Sequence, residues 1–454
     1  MEKTTKREVA RRPGETPSPG MQVVGYLPDE SPSPVKLLLF ALQQILIMFP
    51  ATVTVALLTG FHISTTIFAS GFATICFLLI TKRQIPLYYG SSFSYIAAII
   101  GITGASYGQV APDALISQAQ FGIICSGLVS IAAGLIIKRF GMKAVEKVLP
   151  PTITGSIAIV IGISLAGVAI TGAAGYSADT GASGTAWAAA IITLIATVLF
   201  SVYLKGIYSQ LSILFGILTG YIISIPLGLV DFSSIWAGSL IAVPHFTLPA
   251  PNLHAVAAIM PIAIATIPES TAHLYQLDIY VNDLARKKGK GDYKIADKLG
   301  LNLIGDGIGD ILSAAIGGPA GTNYGENLSA MAITRNFSSK MLMAAAIIAM
   351  ALSFIEPVSN AIWSVPGAVI NGACIFLFGA IGAQGIAIMI EKKVDLFNVK
   401  NLAIIAIILV IGLGGHYGFP NGNIPVFGAN LPAIATASVV GILMNLLLSI
   451  KKAE

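Results

Sequence analysis

Charge is what this sequence has least of. Of 454 residues only 10% are Asp, Glu, Lys or Arg, where a soluble domain carries about 25%. Such a chain cannot clothe a water-facing surface, and 55% hydrophobic residues with a mean hydropathy of +0.83 place it in a bilayer. Cysteine is sparse as well, with three in the chain. Cys76, Cys125 and Cys374 stand far apart inside apolar runs, which excludes a disulfide framework and a cysteine zinc site and leaves small core residues. No nucleophile–base set or metal-ligand cluster is legible, so the sequence does not read as an enzyme and implies neither metal nor organic cofactor. The one near-candidate, Glu269 with His273, offers two ligands without further partners. The net charge of +5 needs no nucleic-acid partner, because the basic residues are confined to connections between apolar runs. The first 35 residues lack the apolar stretch and cleavage pattern of a signal peptide and read as a flexible cytoplasmic tail.

What is present is a series of unbroken apolar runs. A barrel would show alternating segments of about ten residues; these are helix-length, the roughly 20 residues that cross a bilayer. The 47 glycines suit helices that approach closely. Candidate spans are 36–59, 64–81, 86–101, 117–137, 149–172, 184–203, 208–229, 254–279, 299–316, 323–334, 340–356, 366–390, 401–415 and 431–450, fourteen in all. All 26 Lys and Arg fall in the tail or at alternate connections. Basic residues favour cytoplasmic loops, so both termini are expected in the cytoplasm and the chain in the inner membrane.

Spans three and ten are too short to cross as complete helices, and they hold the same place in two halves of seven. One begins Ile85-Pro-Leu-Tyr-Tyr-Gly-Ser-Ser-Phe-Ser-Tyr95 and the other Gly317-Gly-Pro-Ala-Gly-Thr-Asn-Tyr-Gly-Glu-Asn327. Seven is odd, so the halves are inverted. Paired interrupted segments in an inverted repeat point to a transporter's midplane site, because irregular backbone is tolerated there only against protein or a wet cavity.

Ionisable residues within spans mark pathways. Glu269 and His273 share one helix face, and Pro268 is expected to disrupt the helix just before them. Glu326 sits at the break in span ten, where a following half-helix aims free N–H groups at the cavity. Asp306 and Asp310 lie in span nine; Asp310 reads as structural, and His416 as lying outside the site. A carboxylate accepts hydrogen bonds from the ring N–H groups of a small neutral base, while Phe93, Tyr95 and Tyr324 offer faces for stacking. Two carboxylates in one cavity repel, which makes them a natural element for proton coupling. An anion carrier using helix N-termini is the rival reading; two acids in the cavity oppose it.

At Tyr324-Gly-Glu-Asn-Leu-Ser-Ala-Met-Ala-Ile-Thr-Arg335 the chain resembles the nucleobase–ascorbate transporter family, in particular its bacterial uracil permeases. The family signature opens with Gln, Glu or Pro, then Asn, any residue, Gly, four variable residues and Thr; here these are Glu326, Asn327, Leu328, Ser329 and on to Thr334. The likeness extends to Gln43–Val53, Ile85–Phe93 and Glu391–Asp395. It implies an all-α polytopic fold of fourteen spans as two inverted repeats of seven. Short antiparallel strands would lie in spans three and ten, and the molecule would form a homodimer. A core domain (36–148 and 254–357) would move against a gate domain (149–253 and 358–454). Carried over residue by residue, Glu269 and Glu326 bind the base, Phe93 stacks on it, and Ala51 and the Gly325 backbone line the pocket. His273, Ser92 and Asp306 assist proton coupling beside Glu269, and Phe378 stands where uracil permeases tend to have tyrosine. Glu at the first signature position favours uracil, while Asp306 resembles the purine-carrying branch, so a purine or xanthine permease is the alternative within the family. Ser329 replaces the signature glycine, with altered helix packing expected; Pro50 precedes Ala51 where glycine is usual, and Pro268-Glu-Ser270 replaces Ala-Glu-His.

Overall fold

The computed structural model describes residues 25–141, 148–177, 180–233, 235–236, 238–426 and 429–450. Among them, eight helices are long and apolar enough to cross a membrane. Five of these build the first part of the chain. Helix α1 (Pro34–Thr59) begins on a proline whose missing N–H costs nothing in a first turn, and ends at Gly60 in the left-handed region (φ 74°). Helix α2 (Ile63–Ile80) follows directly, and the interrupted crossing holds β1 (Tyr89–Ser91) and the short helix α3 (Ile96–Thr103). Helix α4 (Asp113–Phe140) returns across the layer. Next come α5 (Pro151–Ser164) and α6 (Ala166–Ala173), which form one bent crossing, then α7 (Gly184–Tyr203) and α8 (Ser212–Ser224).

The second part repeats this order. Helix α9 (Leu253–Ile259) is capped by the Asn252 side chain, which accepts from Ala255 N–H at 2.9 Å, and passes through a 3-10 turn into α10 (Ala263–Lys287). Helix α11 (Leu299–Ala315) leads to β2 (Gly321–Asn323) and the half-helix α12 (Gly325–Thr334). Then follow α13 (Ser339–Leu352), α14 (Glu356–Trp363), α15 (Gly367–Glu391), α16 (Val399–Leu409) and α17 (Ala433–Ile450). Two elements lie in connections the hydropathy treats as loops: α14, and a hairpin of β3 (Asn423–Val426) with β4 (Ala429–Pro432).

The helix pairings are themselves paired. Helix α4 runs along α11, as α2 runs along α13; α9 leans on α4, as α1 leans on α13; and α5 lies against α15. Glycines set the spacing. A Cβ on Gly307 would stand 2.3 Å from the Gly127 carbonyl oxygen, and one on Gly385 would stand 2.4 Å from that of Gly155. Without a strong hydrophobic drive between helices in lipid, such close backbone packing is what holds them.

Three sequence expectations change. Pro268 does not break its helix; α10 runs continuously through it, and the irregular turn is Met260–Ile262, eight to six residues earlier, around Pro261. A proline removes one helical N–H, which neighbouring elements can absorb. Span seven is shorter than expected and span eight longer, α10 reaching Lys287. Of the proposed tail, residues 1–24 lie outside the described residues, while 25–33 are held against the body. Tyr26 N–H donates to Arg335 O at 2.8 Å, Phe337 N–H to Tyr26 O at 2.8 Å, and Ser338 Oγ to Glu30 O at 2.6 Å, with Leu27 buried beneath.

Candidate functional site

The site begins where the two interrupted crossings meet. β1 and β2 pair antiparallel, with Tyr89 opposite Asn323, Gly90 opposite Thr322 and Ser91 opposite Gly321. Two three-residue strands satisfy only part of their backbone by pairing, so side chains complete the account. Ser70 Oγ and Thr74 Oγ1 each donate to Tyr89 O at 2.9 Å, fixing β1 to α2. Asp310 Oδ1 accepts from the Tyr89 hydroxyl and from Gly321 N–H, both at 2.7 Å, and so ties β1 and β2 to α11.

Beside this crossing lies a cavity of about 350 Å³. Ala51, Phe93, Glu269, His273, Tyr324, Gly325 and Glu326 all line it. Residues from four separate stretches of chain thus converge: α1, the turn after β1, α10, and the start of α12. Glu269 and Glu326 are half-buried, and His273 lies one turn beyond Glu269 on the same wall. Gly325 is required by this approach, since a Cβ there would meet the His273 ring at 2.7 Å. His273 Nδ1 and Thr322 Oγ1 are buried without a hydrogen-bond partner among the described residues, both on the cavity wall. Buried polar atoms are rarely left so.

Three predicted residues stand behind the wall. Phe378 is buried and meets Phe93 edge-on, ring centres 6.5 Å apart, so it supports the aromatic face. Ser92 is buried and its Oγ accepts from Ser94 N–H at 3.3 Å, capping the turn that carries Phe93. Asp306 joins a closed network: it accepts from Asn323 Nδ2 at 2.7 Å and from Ser270 Oγ, and Asn302 Nδ2 donates to the same Ser270 oxygen at 2.7 Å. Ser270, next to Glu269, therefore links α10 to α11 and β2. Tyr324 lines the cavity, yet its ring lies over Gly90 and its hydroxyl donates to Ser91 O at 2.9 Å, with Thr52 Oγ1 at 3.0 Å. Phe93 is the aromatic left free to meet a planar ligand. Tyr95 is buried against α4, its hydroxyl 2.7 Å from Ser126 Oγ.

Ser329 also differs from expectation. It lines the cavity, so the side chain in place of the signature glycine adds a hydroxyl to the wall. Signature residue Asn327 instead ties α12 to α1, donating to Gln44 Oε1 at 2.7 Å and Gln44 O at 2.9 Å. Sequence reasoning missed three glutamines on the wall, Gln210, Gln276 and Gln384. For Gln276 a signal existed: positions 269, 273 and 276 follow one helical face. Gln276 and Gln384 are exposed, and both lie on the part of α10 and α15 nearest Lys287 and Glu391. The cavity therefore opens toward the face that carries the basic loops.

Comparisons with known proteins give the family. A model described as "Permease family" matches residues 35–420. The chain is 38% identical to the uracil permease of Bacillus caldolyticus, over 90% of this chain and 91% of that protein. It is 35% identical to the uracil permease of Bacillus subtilis (93% and 95%) and 32% identical to the putative pyrimidine permease RutG of Escherichia coli (93% and 92%). In fold it is similar to SLC26A9 (TM-score 0.64, 11% identity, 92% of this chain and 66% of that one). It is also similar to the transmembrane domain of the cyanobacterial bicarbonate transporter BicA (TM-score 0.58, 15% identity, 92% and 98%). With the family model spanning most of the chain and close relatives matched nearly end to end, this multi-pass membrane protein belongs to the nucleobase–ascorbate transporter family: it is a permease, not an enzyme.

Proposed function

We propose that the chain is a proton-coupled symporter that imports uracil across the inner membrane by alternating access. The observation that carries this reading is the convergence of Glu269 and Glu326 with Phe93 on one cavity at the strand crossing. Uracil is small, flat and neutral, with two ring N–H donors that two carboxyl groups can accept and a face that Phe93 can cover. Relatives named as uracil permeases support the same substrate. Glu269, with His273 one turn away and Ser270–Asp306 behind it, is assigned the coupling proton.

The mirrored helix pairings support an inverted repeat. The eight long helices, the four shorter apolar ones, α11 and the half-helix α12 make up fourteen passes, with both termini in the cytoplasm. Residues 36–148 and 254–357 then form the core that carries the site, and 149–253 and 358–454 the gate, which contributes Gln210, Ile381 and Gln384 to the wall. The state described is inward-facing, since the cavity opens toward the basic face. A homodimer follows the family. An anion carrier is favoured only by the fold likeness to SLC26A9 and BicA, and two acids on the wall would repel its cargo.

The test is uptake of labelled uracil into proteoliposomes with an imposed pH gradient. Uptake is expected to rise when the compartment of origin is acidic and to fall when the gradient is collapsed. Indifference to the gradient removes the coupling, and uptake of labelled xanthine but not of labelled uracil moves the substrate to the purine branch.

A further inference from the structure

On the face opposite the basic loops, three side chains that the sequence scatters over 62, 113 and 245 come together. His62 Nε2 lies 3.3 Å from Asp113 Oδ1, and His245 Nε2 lies 2.8 Å from Asp113 Oδ2. The two imidazole centres are 4.2 Å apart, and one ligand atom from each residue lies within 4.8 Å of the others. None of the three lines the substrate cavity. We propose that His62, Asp113 and His245 form a binding site for a borderline transition-metal dication of the zinc type.

The donor set fits that class. Imidazole nitrogen with a single carboxylate suits zinc, nickel or copper, whereas magnesium and calcium take oxygen ligands. A tetrahedral centre with metal–ligand distances of about 2.0–2.2 Å spaces its ligand atoms roughly 3.3–3.5 Å apart. The histidines approach different oxygens of Asp113, and one ligand atom from each residue lies within 4.8 Å of the others, so side-chain rotation has to close the set to this spacing. Three protein ligands leave a fourth position for water, and His245 and Asp113 are half exposed, which gives an ion a way in.

The backbone under each ligand is held independently of any ion. Gly60 turns the chain after α1, and its carbonyl accepts from Ala111 N–H at 2.9 Å, bringing the 60–63 turn beside the start of α4. The His62 carbonyl accepts from Thr66 N–H and Thr66 Oγ1, both at 2.9 Å. The His245 carbonyl accepts from Thr65 Oγ1 at 2.6 Å, and two residues on, Thr247 exchanges hydrogen bonds with Gln120. A bound ion would fasten the 230–253 connection to α2 and α4.

The experiment is calorimetric titration of zinc chloride into the purified full chain, carrying an affinity tag free of histidine, with magnesium chloride as the comparison ion. One saturable zinc site per chain is expected, with no magnesium site. His245→Gln and Asp113→Asn should each weaken zinc by on the order of tenfold or more, since even an outer partner of a metal ligand is worth about that. His254→Gln, on the same face but outside the cluster, should not. His245 and Asp113 being half exposed, each variant is checked for a monodisperse peak, and His62→Gln repeats the test if either aggregates. Absence of saturable zinc binding overturns the site, as does wild-type affinity in the cluster variants or an equal loss in His254→Gln.

Discussion

Two pairs of acids lie within a few residues of the strand crossing, and the molecule treats them differently. Asp306 and Asp310, on α11, are consumed by protein. Asp310 takes the Tyr89 hydroxyl and Gly321 N–H at 2.7 Å each, and Asp306 takes Asn323 and Ser270. Glu269 and Glu326 stand on the cavity wall, half-buried. A carboxyl group in a membrane interior is costly. The first pair offsets that cost with hydrogen bonds that build the crossing; the second lines the cavity, and on the function proposed it meets the ligand. Carboxyl side chains at one crossing thus differ in what they meet: protein donors for the Asp pair, the cavity for the Glu pair, and the ligand-binding role proposed for the Glu pair rests on that difference.

The contrast breaks most directly by removing one acid from each pair. Asp310→Ala leaves the buried Gly321 N–H without its acceptor, at about 1–3 kcal/mol, and leaves the Tyr89 hydroxyl only the Asp306 carbonyl at 3.1 Å, so thermal stability of the purified protein should fall. Asp310→Asn keeps one oxygen in place and should fall much less. Glu269→Gln should do the reverse: proton-driven uptake is lost, while thermal stability stays within about 0.5 kcal/mol of the parent. If Glu269→Gln unfolds the protein, or Asp310→Ala transports normally at normal stability, the division between the two pairs is wrong. Glu326→Gln sharpens the comparison inside the open pair. A hydrogen bond to a charged group is worth about 1.5–3 kcal/mol, so uracil affinity measured by calorimetry should fall by roughly ten- to a hundredfold. Unchanged affinity would take Glu326 out of the binding role.

This distinction was only half legible in the sequence. Apolar runs of helical length announce the crossings because lipid imposes that length, and the two glycine-containing breaks announce the site because irregular backbone needs a cavity. Glu269, His273, Glu326 and Phe93 could be named from those rules. What the chain order hides is the third dimension. That Asp306 bonds to Ser270 and Asn323 depends on α10, α11 and β2 meeting, and nothing in the spacing of 270, 306 and 323 signals it. Pro268 misled for a related reason: local propensity predicts a break, but packing carries the helix through it and places the irregular turn at Pro261 instead. Ser329 likewise looked like a packing defect and is a cavity hydroxyl.

A third kind of acid, outside the membrane-spanning segments, sets a scale for the other two. Glu30 bonds Lys288 at 2.5 Å and Lys290 at 3.0 Å, and its carboxylate accepts from Leu27 N–H at 2.9 Å. Burial works to raise its pKa, but the bonds from Lys288, Leu27 and Lys290 outweigh it and hold the group down at about 2. A carboxyl whose pKa is lowered on folding adds stability that is full above its unfolded value and is lost as pH falls through the folded one. The contribution therefore fades between about pH 4.5 and 2. Being at the surface it is small and weakened by salt. Glu30→Gln should lower the thermal midpoint slightly at pH 7, and the gap from the parent should narrow as the pH approaches 3. Because the strap 25–33 lies against Arg335 and Phe337 just beyond α12, the same variant should leave uracil affinity unchanged if only the open pair meets the ligand. A change in affinity would mean that the strap positions Glu326 through α12, and that the boundary between structural and functional acids reaches the surface of the protein.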